Sequence, residues 1–193
     1  VYVFSVVDTS NGCGNFDSTV VVADFEFPFA EAGPNQRLSC ANTITLLNGT
    51  GSSTGPQFGY AWTTPDGNII ADSNSLFPQV NQPGEYQLAV YDSLSTCTSV
   101  STTTVTIDTV SPFINLGPDQ PFTCDDDFVI LTPDSVDAGF DFFYEWSAIE
   151  GEVDTANEQQ QVFVYAPGEY QLVVFNANNG CTDTSTIAVF PDT

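Results

Sequence analysis

The chain reads as a succession of short strands. Phe58-Gly59-Tyr60-Ala61-Trp62 alternates with period two, and Phe142-Phe143-Tyr144-Glu145-Trp146 does the same. Tyr86, Leu88 and Val90 share one face of a further run, with Gln87 on the other face. Thr102, Thr104 and Thr106 then line one side of a late strand, and Thr103, Val105 and Ile107 the opposite side. Turn residues separate these runs: Asn48-Gly49, Pro65-Asp66-Gly67, Pro83-Gly84 and Asn179-Gly180. No stretch of about 12 residues carries a helical stripe.

The pattern repeats. Cysteines stand at 13, 40, 97, 124 and 181, and 97 − 13, 124 − 40 and 181 − 97 all equal 84. Sliding the chain by that period aligns it without a gap. Gly33-Pro34 meets Gly117-Pro118, Tyr60-Ala61-Trp62 meets Tyr144-Glu145-Trp146, and Pro83-Gly84-Glu85-Tyr86-Gln87-Leu88 recurs unchanged from Pro167 to Leu172. Tyr2, Val6 and Cys13 match Tyr86, Val90 and Cys97, so residue 1 falls inside a repeat and the chain is expected to be a piece of something longer. The expected organisation is the C-terminal strands of a preceding repeat over 1–23, followed by Ig-like repeats over 24–109 and 110–193. About seven short strands per period predict an all-β fold of tandem Ig-like antiparallel β-sandwich modules. Tyr60, Trp62, Tyr86, Tyr144, Trp146 and Tyr170 are the expected structural core, because they share parity with neighbouring apolar positions. Trp62, Trp146, Tyr86 and Tyr170 could instead form a sugar-stacking platform, but their parity favours the core.

Within each full repeat the two cysteines are 57 residues apart (97 − 40 and 181 − 124). In antibody domains the second cysteine follows the corner tyrosine by two residues. Here Cys97 follows Tyr86 by eleven (97 − 86), in the turn before the last strand. One disulfide per module is therefore predicted, Cys40–Cys97 and Cys124–Cys181, tying an early strand or loop to that turn at one pole. The partner of Cys13 would lie upstream of the chain. Paired cysteines imply an oxidising compartment and hence export to the extracellular cell surface.

Charge narrows the chemistry. The 193 residues hold 25 acids, a single base and no histidine, a net charge of -24. The base is Arg37, so lysine is absent as well. Histidine general bases, His-Asp triads, lysine Schiff bases, P-loop lysines and Lys-Asn isopeptide cross-links are all excluded. A polyanion of this kind has no phosphate-neutralising face, which argues against nucleic acid and anionic membrane surfaces. No apolar run approaches the ~18 residues of a membrane span, so no direct membrane insertion is expected. Charged residues are only 13%, while 41% are hydrophobic. That balance favours a folded core over charge-driven disorder. With one basic position, trypsin-like proteases are expected to find little to cut.

Tyr-x-Trp, a variable middle, Pro-Gly-x-Tyr-x-Leu-x-Val and then Cys-Thr resembles PKD-like, SprB-type repeats of large Bacteroidota cell-surface adhesins and fibre proteins. Tyr60, Trp62, Gly84, Tyr86, Leu88, Val90 and Cys97 carry the match, and Tyr144, Trp146, Gly168, Tyr170, Leu172, Val174 and Cys181 carry it again. Trp62 is followed by Thr63-Thr64-Pro65-Asp66-Gly67, where a PKD domain would usually show Phe-Gly-Asp-Gly. The resemblance implies a structural or adhesive segment of a long exported fibre, a rigid stalk or filament, and no enzyme. Its partners would be neighbouring repeats of the same chain and other copies in a filament. Two alternatives are a module that binds glycan or protein, and an accessory region of a secreted enzyme.

No catalytic residue is assigned. The carboxylate pairs Asp125/Asp127 and Glu150/Glu152 do not recur, because they align with Ala41/Thr43 and Asp66/Asn68. Asp24, Asp108 and Asp192 do recur at module junctions, with Glu26 beside the first. They are candidate ligands for Ca²⁺, which takes six to eight oxygens; the alternative is a solvated acidic face with turn caps. No other cofactor is expected. Bacteroidota exported proteins are similar in carrying O-glycans at Asp-Ser/Thr followed by a small or aliphatic residue or Thr, and this implies Ser18, Ser93, Thr109, Ser135 and Thr155 as glycosylation candidates. Asn48-Gly49-Thr50 is an N-glycosylation sequon.

Overall fold

The computed structural model describes residues 1–22, 26–153 and 159–192, and among them only strands, turns and loops occur. Strands β1 (Tyr2–Val7) and β2 (Gly14–Thr19) pair as an antiparallel hairpin. Seven strands follow: β3 (Gln36–Ser39), β4 (Thr45–Leu46), β5 (Phe58–Thr63), β6 (Ile69–Ala71), β7 (Gln79–Val80), β8 (Gly84–Asp92) and β9 (Thr98–Asp108). They form a four-stranded sheet of order β3-β9-β8-β5 and a three-stranded sheet of order β4-β7-β6.

The remaining strands are β10 (Ile114–Asn115), β11 (Gln120–Phe122), β12 (Val129–Leu131), β13 (Ser135–Val136), β14 (Phe142–Ala148), β15 (Val162–Val164), β16 (Gly168–Asn176) and β17 (Thr182–Pro191). Their main sheet, β11-β17-β16-β14, has the order of the first, and the pairs β12-β15 and β10-β13 complete the second sandwich.

Each sandwich fills its own core. Ala32, Leu38, Leu47, Trp62, Val80, Tyr86, Leu88, Val90 and Val105 are buried in the first. In the second the buried set includes Leu116, Leu131, Trp146, Val164, Tyr170, Leu172 and Val189. Each indole nitrogen is satisfied: Trp62 Nε1 donates to Ser75 O at 3.0 Å and Trp146 Nε1 to Gln160 O at 3.3 Å. Tyr86 and Tyr170 are fully buried with hydroxyls that donate four residues upstream, to Gln82 O at 2.7 Å and Ala166 O at 2.6 Å. Burial pushes the Tyr170 hydroxyl pKa up. Tyr60 and Tyr144 are half-buried at the rim, donating to Ser53 O and Asp137 O. The hairpin β1-β2 is different. Tyr2, Phe4 and Val6 stand where Tyr86, Leu88 and Val90 stand in β8, yet all three are exposed.

The cysteine pairing differs from the one expected. Neither Cys40–Cys97 nor Cys124–Cys181 forms; the disulfide joins Cys40 to Cys181, with Cα atoms 5.1 Å apart, and so connects the two sandwiches. The reason lies in one strand direction. An all-antiparallel sheet was expected, but β3 runs parallel to β9, with Ser39 opposite Asp108, so Cys40 emerges at the C-terminal end of β9. Cys97 precedes Thr98 at the other end of that 11-residue strand. At ~3.3 Å per residue the two sites are roughly 33 Å apart, far beyond the ~7 Å limit for a bridge. The parallel pairing of β11 with β17 separates Cys124 from Cys181 in the same way. Cys13, Cys97 and Cys124 are free thiols in the structure.

Candidate functional site: the junction between the sandwiches

The ends that meet are the C-terminal pole of the first sandwich and the β16–β17 turn of the second. In that turn Gly180 N donates to Asn176 O at 2.7 Å and Asn176 N to Cys181 O at 2.9 Å. Asn178 N caps on Asn176 Oδ1 at 3.0 Å, the Asx chemistry that fixes tight turns. Gly180 takes φ +71, a left-handed conformation suited to glycine. A Cβ there would collide with the Cβ of Ala41 and lie 2.9 Å from Ala41 N. The two backbones therefore approach as closely as a hydrogen atom allows.

Asn179 is the centre of the contact. It is 2% exposed, and its Nδ2 donates to Asp108 Oδ1 and to Val110 O, both at 2.9 Å. Its Oδ1 accepts from Cys181 N at 3.0 Å, while its backbone carbonyl accepts from Ala41 N at 3.1 Å. Arg37, the one basic side chain, spans the joint. Its Nη1 lies 3.3 Å from Asp108 Oδ2, and its Nη2 donates to Asn178 O at 2.8 Å. The connecting segment is held too. Pro112 is buried, and Phe113 N donates to Asp137 Oδ2 at 3.0 Å.

The Asn179 amide holds the Asp108 carboxyl below its ordinary pKa, the Val110 N–H adds to this, and the Arg37 charge contributes less. A carboxyl with a depressed folded-state pKa stabilises the fold above its unfolded pKa, and that contribution is lost as pH falls through the lower folded value. The joint should therefore be insensitive to pH near neutrality and loosen in acid, below the ordinary aspartate value of 3.8. Amide exchange at Ala41 and Val110 followed across that range checks this. Asp108→Asn should flatten the acid limb of the profile, and an unchanged limb would reassign the effect.

The other candidates lie apart. Of the proposed calcium ligands, Asp108 is occupied as described, and Asp192 lies at the far end of the second sandwich, its N–H donating to Phe122 O at 3.1 Å. Glu26 is exposed ahead of the first sandwich, and Asp24 lies outside the described residues. Among the described residues no group of three or more metal-ligating side chains converges. Ser18, Ser93, Thr109 and Ser135 are exposed, and Thr155 lies outside the described residues. Of Asp125, Asp126 and Asp127, Asp126 closes a local turn, accepting from Thr123 N and Oγ1 at 2.8 and 2.7 Å.

Sequence reasoning did not find Arg37, Ala41, Val110, Asn178 or Asn179 as a group. The available signal was the position of the sole cation, three residues before Cys40, together with the second spacing open to the cysteines, 181 − 40 = 141.

No protein-family model matches the chain, and no curated protein matches it in sequence. Solved structures do match. Extracellular domains 3–5 of Drosophila OTK match at 11% identity over 94% of this chain and 67% of that one, with a TM-score of 0.42. An I-band fragment of titin matches at 10% identity over 87% of this chain and 66% of its own, with a TM-score of 0.48. The PKD domain of the KIAA 1837 protein is 24% identical over 54% of this chain and 99% of its own, at a TM-score of 0.37. The chain is thus similar to strings of Ig-like domains and to a PKD domain.

Proposed function

We propose that the chain is a structural repeat segment of an extended, exported surface fibre, and that it works by fixing the angle between successive sandwiches. The observation that carries this reading is the Cys40–Cys181 bond across the junction. A peptide linker alone leaves two domains free to swing about it. Here the peptide leaves at Asp108 and the disulfide at Cys40, next to its register partner Ser39. Two covalent attachments about one strand spacing apart define an axis. Rotation about that axis is opposed by the Asn179 and Arg37 hydrogen bonds. A joint of this kind transmits force and bending, and it offers no reacting group. The net charge of -24 keeps neighbouring fibres apart.

Small-angle scattering checks the reading. The oxidised chain should give one narrow distribution of inter-sandwich angles, and Cys181→Ser a visibly broader one. An oxidised chain as broad as the variant would overturn it.

A further inference from the structure

The outward face of the small sheet in the second sandwich is not built like its counterpart in the first. Both sheets pair in the same register, with Leu46 opposite Gln79 in β4–β7 and Ile130 opposite Phe163 in β12–β15. Side chains alternate across a strand, so Leu131, Val162 and Val164 fill the core while Ile130 and Phe163 face out. Phe128 and Tyr165 extend that outer face. The Phe128 ring meets Phe163 edge-on, with centroids 5.2 Å apart at 69°, and Tyr165 at 6.5 Å and 65°. Phe128, Ile130 and Tyr165 are exposed and Phe163 is half-buried, so the four form one apolar patch open to water.

The first sandwich carries no ring at these positions. Ile44, Gln79 and Asn81 stand where Phe128, Phe163 and Tyr165 stand one period later. There Asn68 Nδ2 donates to Asn81 Oδ1 at 2.8 Å, beside a backbone bond from Asn81 N to Asn68 O at 3.3 Å. The matching backbone bond of the second sandwich, Tyr165 N to Glu152 O at 3.5 Å, sets Glu152 and Tyr165 side by side in place of that amide pair. At the end of β12, exposed Asp125 and Asp127 lead into Phe128 where the first repeat has Ala41 and Thr43. Around one face, the second repeat therefore has three rings and three carboxylates that the first sandwich folds without. The rings lie outside the core, so packing of the sandwich does not call for them.

We propose that this face is a docking surface for an arginine-bearing segment of another protein. A contiguous exposed apolar patch with a polar rim marks a place where a partner excludes water. Rings beside carboxylates select the cation. A guanidinium stacks on a ring face, offers paired N–H groups to a carboxylate, and is more weakly hydrated than an ammonium. A second copy of this chain is a poor occupant. Its one base, Arg37, is committed to Asp108 and Asn178 at the junction, and a net charge of -24 opposes self-association. The surface goes beyond the fibre reading and does not depend on it, because it lies on one sandwich and uses no residue of the joint.

The test titrates the whole oxidised chain into a short labelled peptide of alternating arginine and leucine and follows fluorescence anisotropy. Salt is held at about 0.15 M, where the Debye length of about 8 Å screens the distant charges. Phe128→Ile with Phe163→Gln and Tyr165→Asn installs the first repeat's residues and leaves every carboxylate in place. This ring variant should bind roughly tenfold more weakly or worse. Asp125→Ala with Asp127→Thr and Glu152→Asn should lose a similar factor, and its residual binding should depend less on salt. In the wild type, amide shifts on adding peptide should concentrate in β12 and β15. Equal affinity of the wild type and the ring variant would mean that net charge alone captures the peptide, and would overturn the proposal. Amide shifts spread over both sandwiches would do the same. Shifts on this face with maltohexaose and none with the peptide would assign it to sugar instead. Dimers that the ring variant loses, without peptide binding, would assign it to a second copy. The amide map needs no variant, so it decides the matter even if the ring variant does not fold. None of these outcomes touches the inter-sandwich angle that scattering reads.

Discussion

Cys40→Ser is expected to lower the melting temperature of whichever sandwich unfolds first by about 15 °C or more. The effect follows from what is tethered when one sandwich opens. With the first folded, the second hangs between Asp108 and the Cys40 anchor of Cys181, a closed loop of 181 − 108 = 73 residues. With the second folded, the first is held between Cys40 and Val110, a loop of 110 − 40 = 70 residues. Chain entropy assigns a bond that closes a loop of this size about 4 kcal/mol. For a domain of this length each kcal/mol is worth roughly 4–8 °C. The bond thus stabilises whichever sandwich opens first, because each carries one cysteine and is anchored through it to its folded neighbour. Scanning calorimetry of Cys40→Ser, Cys181→Ser and the double variant checks this, since all three should shift alike. Variants within a few degrees of the oxidised wild type would show that the Asn179 and Arg37 contacts hold the junction without the bond.

The architecture was largely legible in the sequence, and the junction was not. Period-two runs and turn pairs mark the strands because side chains alternate across a sheet and turns select particular residues. Trp62, Trp146, Tyr86 and Tyr170 read as core by parity, and they are buried. The cysteine partners depend on something composition does not encode, the direction in which a four-residue strand lies against an edge. A 57-residue spacing fits an intramodular bond if β3 is antiparallel to its neighbour, and forbids one if it is parallel. Parallel pairing of β3 with β9 moves Cys40 to the opposite pole, where it meets Cys181 of the second sandwich. Asn179 was hidden for a related reason. It reads as an ordinary turn residue, and its second amide function acquires meaning only when Asp108 and Val110 are placed opposite it.

Trp146→Ala should cost the second sandwich about 3–5 kcal/mol, as large-to-small changes of a buried indole do. The side chain is 1% exposed amid Leu131, Val164, Tyr170, Leu172 and Val174, and Ala leaves the Gln160 carbonyl without its donor. A domain of roughly 84 residues has about 4–13 kcal/mol in total. The single variant should therefore remain folded in the oxidised protein, tied at both ends, with a sharply lowered melting temperature. Trp146 pairs with Leu172, several residues along β16 from the Asn176 turn that holds Cys181, so their effects should add to within a few tenths of a kcal/mol. Trp146→Ala with Cys40→Ser then loses about 7–9 kcal/mol, enough to leave the second sandwich unfolded at 25 °C or close to it. The first sandwich would keep its own dispersed amide resonances, because its core is built separately around Trp62. The same pair of variants separates a core indole from a ligand platform. An indole used for stacking on a sugar could be removed with little change in melting, whereas a core indole cannot. A double variant that melts near the wild type would overturn both the packing role of Trp146 and the stabilisation assigned to the cross-junction bond.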